Sequence, residues 1–330
     1  MEQRQLGTSA LSVSSIGLGC MGFSQGYGVA DDAQSSAVIQ GCIEAGVTLI
    51  DTAMTYGQGH NERLIGGALA QLGNARDAVR IATKFGIVRT GDGVHLDADP
   101  ANIADYCDAS LQRLGVDVID LYYLHRVDPK VPISDSIGAM ADLVRAGKVL
   151  HLGVSEVTAA QLVKATAVHP IAAVQFEWSL AWREPEIELI PTARKLGVGL
   201  VPYSPLGRGL LTATLSDDDI NVSPFRKSDP RFQGVDLDRN RSQVKALNQL
   251  ARSRSLTASQ ISLAWLLAQG SDVVPIPGTR RLDRALENLK AAEVLLTDDD
   301  LAALDAAVPP ARWSGDRKSF AVPVTSRPSI

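Results

Sequence analysis

A (β/α)8 barrel is the fold class that this sequence of 330 residues predicts. Short apolar runs rich in β-branched residues recur at intervals of about 30 residues, and amphipathic stretches separate them. The runs number eight, which suits a closed barrel better than a six-stranded open sheet. The periodicity is structural and carries no sequence repeat, which excludes a solenoid.

Taken in order, residues 2 to 13 read as a short hairpin with Gly7-Thr8-Ser9 at its turn. Ser15-Ile16-Gly17-Leu18-Gly19 then begins the alternation. Further strand runs fall near 47–50, 79–84, 118–124, 149–154, 171–175, 198–202 and 272–276. Helical stretches fall near 32–45, 61–72, 101–114, 134–146, 158–168, 185–196, 241–255 with 257–269, and 281–290. The barrel core therefore spans about 15–290 within a single domain of residues 1–330. Gly17-Leu18-Gly19-Cys20-Met21-Gly22 matches a dinucleotide fingerprint, but its third glycine leads into Phe23-Ser24-Gln25-Gly26 loop and not into a helix. The acid expected about 20 residues on is displaced to Asp51. A Rossmann domain is not expected.

Composition narrows the class. With 45% hydrophobic and 21% charged residues the chain reads as an ordinary globular protein. A net charge of -5 with scattered basic residues argues against a nucleic-acid binder. There is no apolar run long enough to span a bilayer and no basic-then-apolar leader at Met1 to Gly7, so a cytoplasmic protein is expected. Cys20, Cys42 and Cys107 are widely spaced and read as reduced thiols. The histidines show no metal-ligand spacing, so no metal is expected.

Three consecutive strand runs end in groups that an apolar strand does not need. Val47-Thr48-Leu49-Ile50 closes on Asp51, Ile81-Ala82-Thr83 on Lys84, and Leu121-Tyr122-Tyr123-Leu124 on His125. A loop carries Tyr56 just beyond Asp51. In a parallel barrel these strand ends meet on one rim, where active sites sit. Asp51 then finds its cation in Lys84, since a buried lone carboxylate is costly. The same cation is expected to lower the Tyr56 pKa from its usual value of about 10, and His125 adds a contact to a substrate oxygen. One such pair or one loop tyrosine is ordinary structure. Four groups at equivalent strand ends ask for chemistry.

These residues sit in Asp-Thr-Ala-x-x-Tyr-Gly, Ala-Thr-Lys-Phe-Gly and Asp-Leu-Tyr-Tyr-Leu-His, which resemble the tetrad motifs of the aldo-keto reductase superfamily. Arg113-Leu114-Gly115-Val116-Asp117, the run Val201 to Gly209 and the run Pro275 to Arg280 fit as well, so the resemblance covers roughly residues 5 to 305. Glu156 after Ser155 is similar to the branch of perakine reductase and the auxin-induced-protein-like reductases, where the wider superfamily has Asn. The resemblance implies NADPH held extended across the barrel rim. It places Ser155 and Gln175 on the carboxamide and Tyr203 stacked on the nicotinamide. Ser204, Pro205, Leu206, Gly207 and Arg208 run beside the pyrophosphate. Gly278-Thr279-Arg280 opens a helix, with Arg280 and Arg284 on the 2′-phosphate and Glu287 and Asn288 on adenine; Met21, Asp51 and Ile276 complete the set.

The implied activity is reduction of an aldehyde or ketone with Tyr56 as general acid, Lys84 and Asp51 supporting it and His125 orienting the carbonyl. The alternative is a redox-sensing regulatory subunit that binds NADPH, resembling potassium-channel β-subunits; a barrel beginning within about 15 residues, without a long leading extension, favours the enzyme. Residues 206–240 form a long Gly/Asp-rich connection, expected to be a cofactor lid with little apolar surface of its own. The tail, 310–330, has little periodicity, and Trp313 is expected over the pocket or the barrel surface. A small carbonyl compound is the expected partner, in a monomer or a homo-oligomer.

Overall fold

The computed structural model describes residues 1–91 and 93–317. Strands β1 (Gln3–Gln5) and β2 (Ser12–Ser14) form the leading hairpin. The barrel staves begin with β3 (Leu18–Gly19), helix α1 (Asp32–Glu44), β4 (Leu49–Asp51), α2 (His60–Leu69) and β5 (Arg80–Phe85). A second hairpin follows, β6 (Ile87–Thr90) with β7 (Gly93–Leu96), then α3 (Pro100–Leu114), β8 (Ile119–Leu124) and α4 (Ile133–Arg145). Next come β9 (Val149–Ser155), α5 (Ala159–Val168), β10 (Ile171–Glu177), α6 (Leu189–Lys195) and β11 (Gly199–Tyr203). Short helices α7 (Asp217–Asn221) and α8 (Pro224–Lys227) lead to α9 (Gly234–Ser253), α10 (Ala258–Ala268), α11 (Leu282–Leu289) and α12 (Asp298–Ala307).

Seven staves pair in parallel in the order β11-β10-β9-β8-β5-β4-β3. The eighth predicted run forms no regular strand, and its prolines explain why. Pro275 and Pro277 have no N–H to give a ladder, but their carbonyls accept from Gly17 and Gly19 at 3.0 and 3.2 Å. On the other side Val274 donates to Leu200 at 2.8 Å and Ile276 to Pro202 at 3.0 Å. Residues 272–277 thus close the ring between β11 and β3.

Local chemistry sets the helix ends. Asp99 accepts from the Ala101 N–H and Pro100 occupies the first turn of α3, which ends on Gly115 at φ +65°. Helices α5, α10 and α12 each start with a reciprocal capping box, on Thr158, Thr257 and Thr297. Two expectations shift. The β6–β7 hairpin, signalled only by Gly91-Asp92-Gly93 between short alternating runs, was not foreseen. Helix α9 starts at Gly234 and not near 241, and the connection before it is built from short helices burying Leu210, Leu211, Ile220 and Phe232. It therefore has more apolar surface than its composition suggests.

Apolar residues fill two layers. One lies between staves and helices; the other fills the barrel and joins Leu49, Ala82, Leu121, Val201 and Val274 to Leu6, Leu11 and Val13 of the leading hairpin. The hairpin closes the bottom of the barrel. Gly7, at φ +58°, approaches so closely that a Cβ there would stand 2.1 Å from the Gly197 carbonyl oxygen. Arg4 ties the plug down by donating to the carbonyls of Gly270 and Val273 at 2.9 and 2.7 Å. Leu6 is fully buried, so Leu6→Ala should cost about 2–5 kcal/mol of stability. Urea unfolding checks this, and a loss under ~1 kcal/mol would show that the plug does not close the core.

Candidate active site

The strand register brings the predicted groups to one rim. Asp51 pairs with Gly19 and Ala82, while Lys84 pairs with Tyr123, which pairs in turn with Gly153. Gly153 is required there, because a Cβ would lie 2.4 Å from the Tyr123 ring that fills the barrel centre. Lys84, fully buried, donates from Nζ to Asp51 Oδ1 at 2.5 Å and to the Thr52 carbonyl at 2.6 Å. Burial pulls the lysine below its usual pKa and lifts the Asp51 carboxyl. Their mutual contact opposes both shifts.

Tyr56 stands over this pair, its ring centroid 5.2 Å from Lys84 Nζ and 5.9 Å from the His125 ring, nearly perpendicular to it. The sequence argument expected Lys84 to lower the tyrosine's pKa. The opposite is found: burial raises it, and the Asp51 charge adds to the rise. Burial disfavours the phenolate, so the phenol keeps its proton. His125 is held neutral, its pKa well below the usual range through burial and then the Arg126 guanidinium. Its Nδ1 is shielded and has no hydrogen-bond partner among the described residues.

Asp51, Tyr56 and His125 line one end of a cleft of about 390 Å³ that continues to Arg280 and Arg284, with Lys84 buried beneath them. Ser155 and Gln175 lie beside the tetrad, and Tyr203 to Leu206, Arg208, Met21, Ile276 and Gly278 line the cleft as well. Gly207, Thr279, Glu287 and Asn288 do not line it. Gln175 gives its amide nitrogen to Asp51 Oδ2 at 2.7 Å, which leaves its carbonyl oxygen to accept from a ligand N–H. Gly278 to Arg280 precede α11 and are not part of it, and Asp283 in its first turn is hydrogen-bonded by Arg281. Gly19 and Gly278 keep the wall thin: a Cβ on Gly278 would lie 2.4 Å from the Gly19 oxygen. This cleft, with donors at both ends and a half-buried aromatic ring between them, fits an extended dinucleotide.

Several contributors escaped the sequence reading. Glu62 is buried, accepting from Thr83 and Arg113 at 2.6 Å each, while Asn61 accepts from Thr52 at 2.6 Å, so α2 braces the strand ends carrying Asp51 and Lys84. Glu156 does not point free into the cleft. It receives Arg317 from the tail at 2.6 and 2.8 Å and the Tyr203 hydroxyl at 3.0 Å. Glu177, at the end of β10, meets Arg231 at 2.5 Å, and Arg231 also meets Asp229 at 2.7 Å. Arg231 is first among the charges that hold the Glu177 carboxyl down, at about 2, against the pull of burial. Trp313 is buried in the helix layer and does not line the cleft, with Ser314 hydrogen-bonded to Asn240 of α9.

The connection before α9 arches over the cleft. Phe225 packs edge-on to Tyr27 at 6.1 Å, and Ser223 donates to the Gly26 carbonyl at 2.7 Å. The arch thus joins the β11 side to the loop after β3.

Comparison with known proteins agrees with this geometry. Residues 15–309 match the model of the Aldo/keto reductase family. A probable aldo-keto reductase from Glycine max is 42% identical over 315 residues, covering 95% of this chain and 90% of that one. A glycerol dehydrogenase from Gluconobacter oxydans has a similar structure, with a TM-score of 0.84 at 28% identity over 99% of this chain and 98% of its own. A thermostable aldo-keto reductase solved with the inhibitor epalrestat gives 0.74 at 29% identity, over 93% and 100%. Strand order, rim chemistry and sequence therefore converge: the chain belongs to the aldo/keto reductase family of carbonyl oxidoreductases.

Proposed function

We propose that this protein reduces aldehydes or ketones to alcohols with NADPH, using Tyr56 as the proton donor. The observation that carries the reading is one continuous cleft with Tyr56, His125 and the Lys84–Asp51 pair at one end and Arg280 and Arg284 at the other. Bound there, NADPH supplies a hydride from C4 of its nicotinamide to the carbonyl carbon.

The residues do the rest. His125, neutral, hydrogen-bonds the carbonyl oxygen and fixes its direction. Tyr56 passes its O–H proton to that oxygen as negative charge develops on it. The raised pKa does not obstruct this, since an alkoxide is a far stronger base than a phenolate. Lys84 then steadies the phenolate, and Asp51 holds the lysine in place. Ser155 and the Gln175 carbonyl suit a carboxamide, and Tyr203, held by Glu156, presents its ring for stacking. Arg280 and Arg284 suit the 2′-phosphate. A cytoplasmic site of action is in keeping with three free, buried cysteines.

Wild-type protein with NADPH should reduce 4-nitrobenzaldehyde. Tyr56→Phe should lower kcat by ~10²–10⁴ while NADPH affinity stays within a few-fold. If the variant keeps most of its kcat, Tyr56 is not the acid.

Arg280→Ala with Arg284→Ala should weaken NADPH far more than NADH, each charge-assisted contact being worth roughly 1.5–3 kcal/mol. Fluorescence titration of both nucleotides reads this out, and equal losses would remove the arginines from 2′-phosphate recognition.

We read residues 206–240 as a lid, because a dinucleotide lying beneath the arch can get in only if the Phe225–Tyr27 and Ser223–Gly26 contacts open. Amides of this segment should gain hydrogen-exchange protection on NADPH addition, clearly more than those of α3 and α4. Equal protection with and without NADPH would make it a fixed loop.

A further inference from the structure

The tetrad end of the cleft holds more positive charge than its chemistry uses. Arg126 directly follows β8 and His125, and it is 9% exposed. Its Nη1 donates to the His125 carbonyl at 2.6 Å and to Ser155 Oγ at 3.2 Å. Among the described residues its other N–H groups make no hydrogen bond, and Nε is shielded from solvent without a partner. A second guanidinium, Arg89, reaches the same end from β6 and, among the described residues, donates only to Thr55 Oγ1, at 3.2 Å, one residue before Tyr56. Neither arginine forms an ion pair among the described residues.

This contrasts with the other charges of the rim. Glu156, near enough to sense Arg126, is taken by Arg317. Glu177 is taken by Arg231, and Asp51 by Lys84. An almost fully buried guanidinium without a carboxylate is costly unless an anion completes it. Its planar fork suits a carboxylate presented edge-on. Both arginines line the cleft around Tyr56 and His125, whereas Arg280 and Arg284 lie at its far end.

We propose that Arg126, assisted by Arg89, forms a carboxylate-binding subsite, so that the preferred substrates are carbonyl compounds bearing an acidic group. This rests on the reductase reading and narrows its substrate class. The anion is recognised apart from the reacting oxygen, which Tyr56 and His125 hold. Reduction proceeds with the same balance: a C–H bond forms at the carbonyl carbon, the C4–H bond of NADPH breaks, Tyr56 gives the proton, and the carboxylate is unchanged.

The experiment compares 4-carboxybenzaldehyde with methyl 4-formylbenzoate, which share a ring and differ in charge; the ester is the more electrophilic, so a preference for the acid runs against intrinsic reactivity. With full-length protein and NADPH, kcat/KM should favour the acid by about 10-fold or more, chiefly through KM. In Arg126→Met the acid-to-ester ratio should fall toward one; taking the ratio cancels any general loss of activity. Arg89→Met, a half-buried change that leaves the core intact, should lower the ratio less and serves if the first variant fails to fold. Equal use of the two aldehydes by wild type, or an unchanged ratio in the folded variants, overturns the subsite. If neither aldehyde is turned over, the reductase reading falls. Calorimetric titration of benzoate into the NADPH-saturated protein then decides the subsite alone: binding that weakens about 10-fold or more in the variants sustains it, and no binding to wild type ends it.

Discussion

The buried ammonium of Lys84 is the constraint on which the rim depends. An unpaired charge inside the barrel would unfold it or lose its proton, so Asp51 must sit one strand away, opposite Ala82 and two positions below the lysine. That pairing fixes β4 against β5, sends the chain after Asp51 up over the lysine, and thereby sets Tyr56 beside it. Gln175 caps the second carboxylate oxygen from β10, across the barrel. The arrangement proposed for catalysis and the local stability of the rim are therefore one set of bonds. Glu62 and Arg113 repeat the device one layer out, bracing Thr83 from behind.

Most of this was legible from strand ends. An apolar run that stops on Asp51, Lys84 or His125 declares a polar neighbour, and three consecutive runs declare a shared rim. The same rule, applied to Glu177 at the end of Ile171–Glu177, asks for a cation as well. It could not say which one, because Arg231 lies 54 positions on, in a connection with no periodicity. Arg317 was hidden for the same reason: a tail without pattern gives no register, so its bond to Glu156 follows only from three-dimensional packing. The eighth stave was read correctly as a run but not as an irregular one, although Pro275 and Pro277 state in the sequence that a ladder there is incomplete. The direction of the Tyr56 pKa shift was misjudged because the nearby ammonium is legible in the sequence while the burial of the phenol, which disfavours the phenolate, is not.

Charge at the rim is divided among three routes. Lys84 answers Asp51 within the barrel, Arg231 and Asp229 answer Glu177 from the arch, and Arg317 answers Glu156 from the tail. Segments far apart in sequence are thereby held over the same strand ends by partners that burial makes obligatory. This also explains how a polar arch of short helices can have a defined position: its two ends are tied by ion pairs and its middle by Phe225 and Ser223.

The seam formed by residues 272–277 has a mechanical meaning. Facing β3 it only accepts hydrogen bonds, through the Pro275 and Pro277 carbonyls, and Gly19 and Gly278 bring the two backbones nearly into contact. The barrel is in this sense a split ring, sewn from one side, with the far end of the cleft lying across the split. Met21 stands on one lip and Gly278 on the other. A long ligand spanning them would cross the split from lip to lip, bridging the seam of the ring that lacks a full ladder.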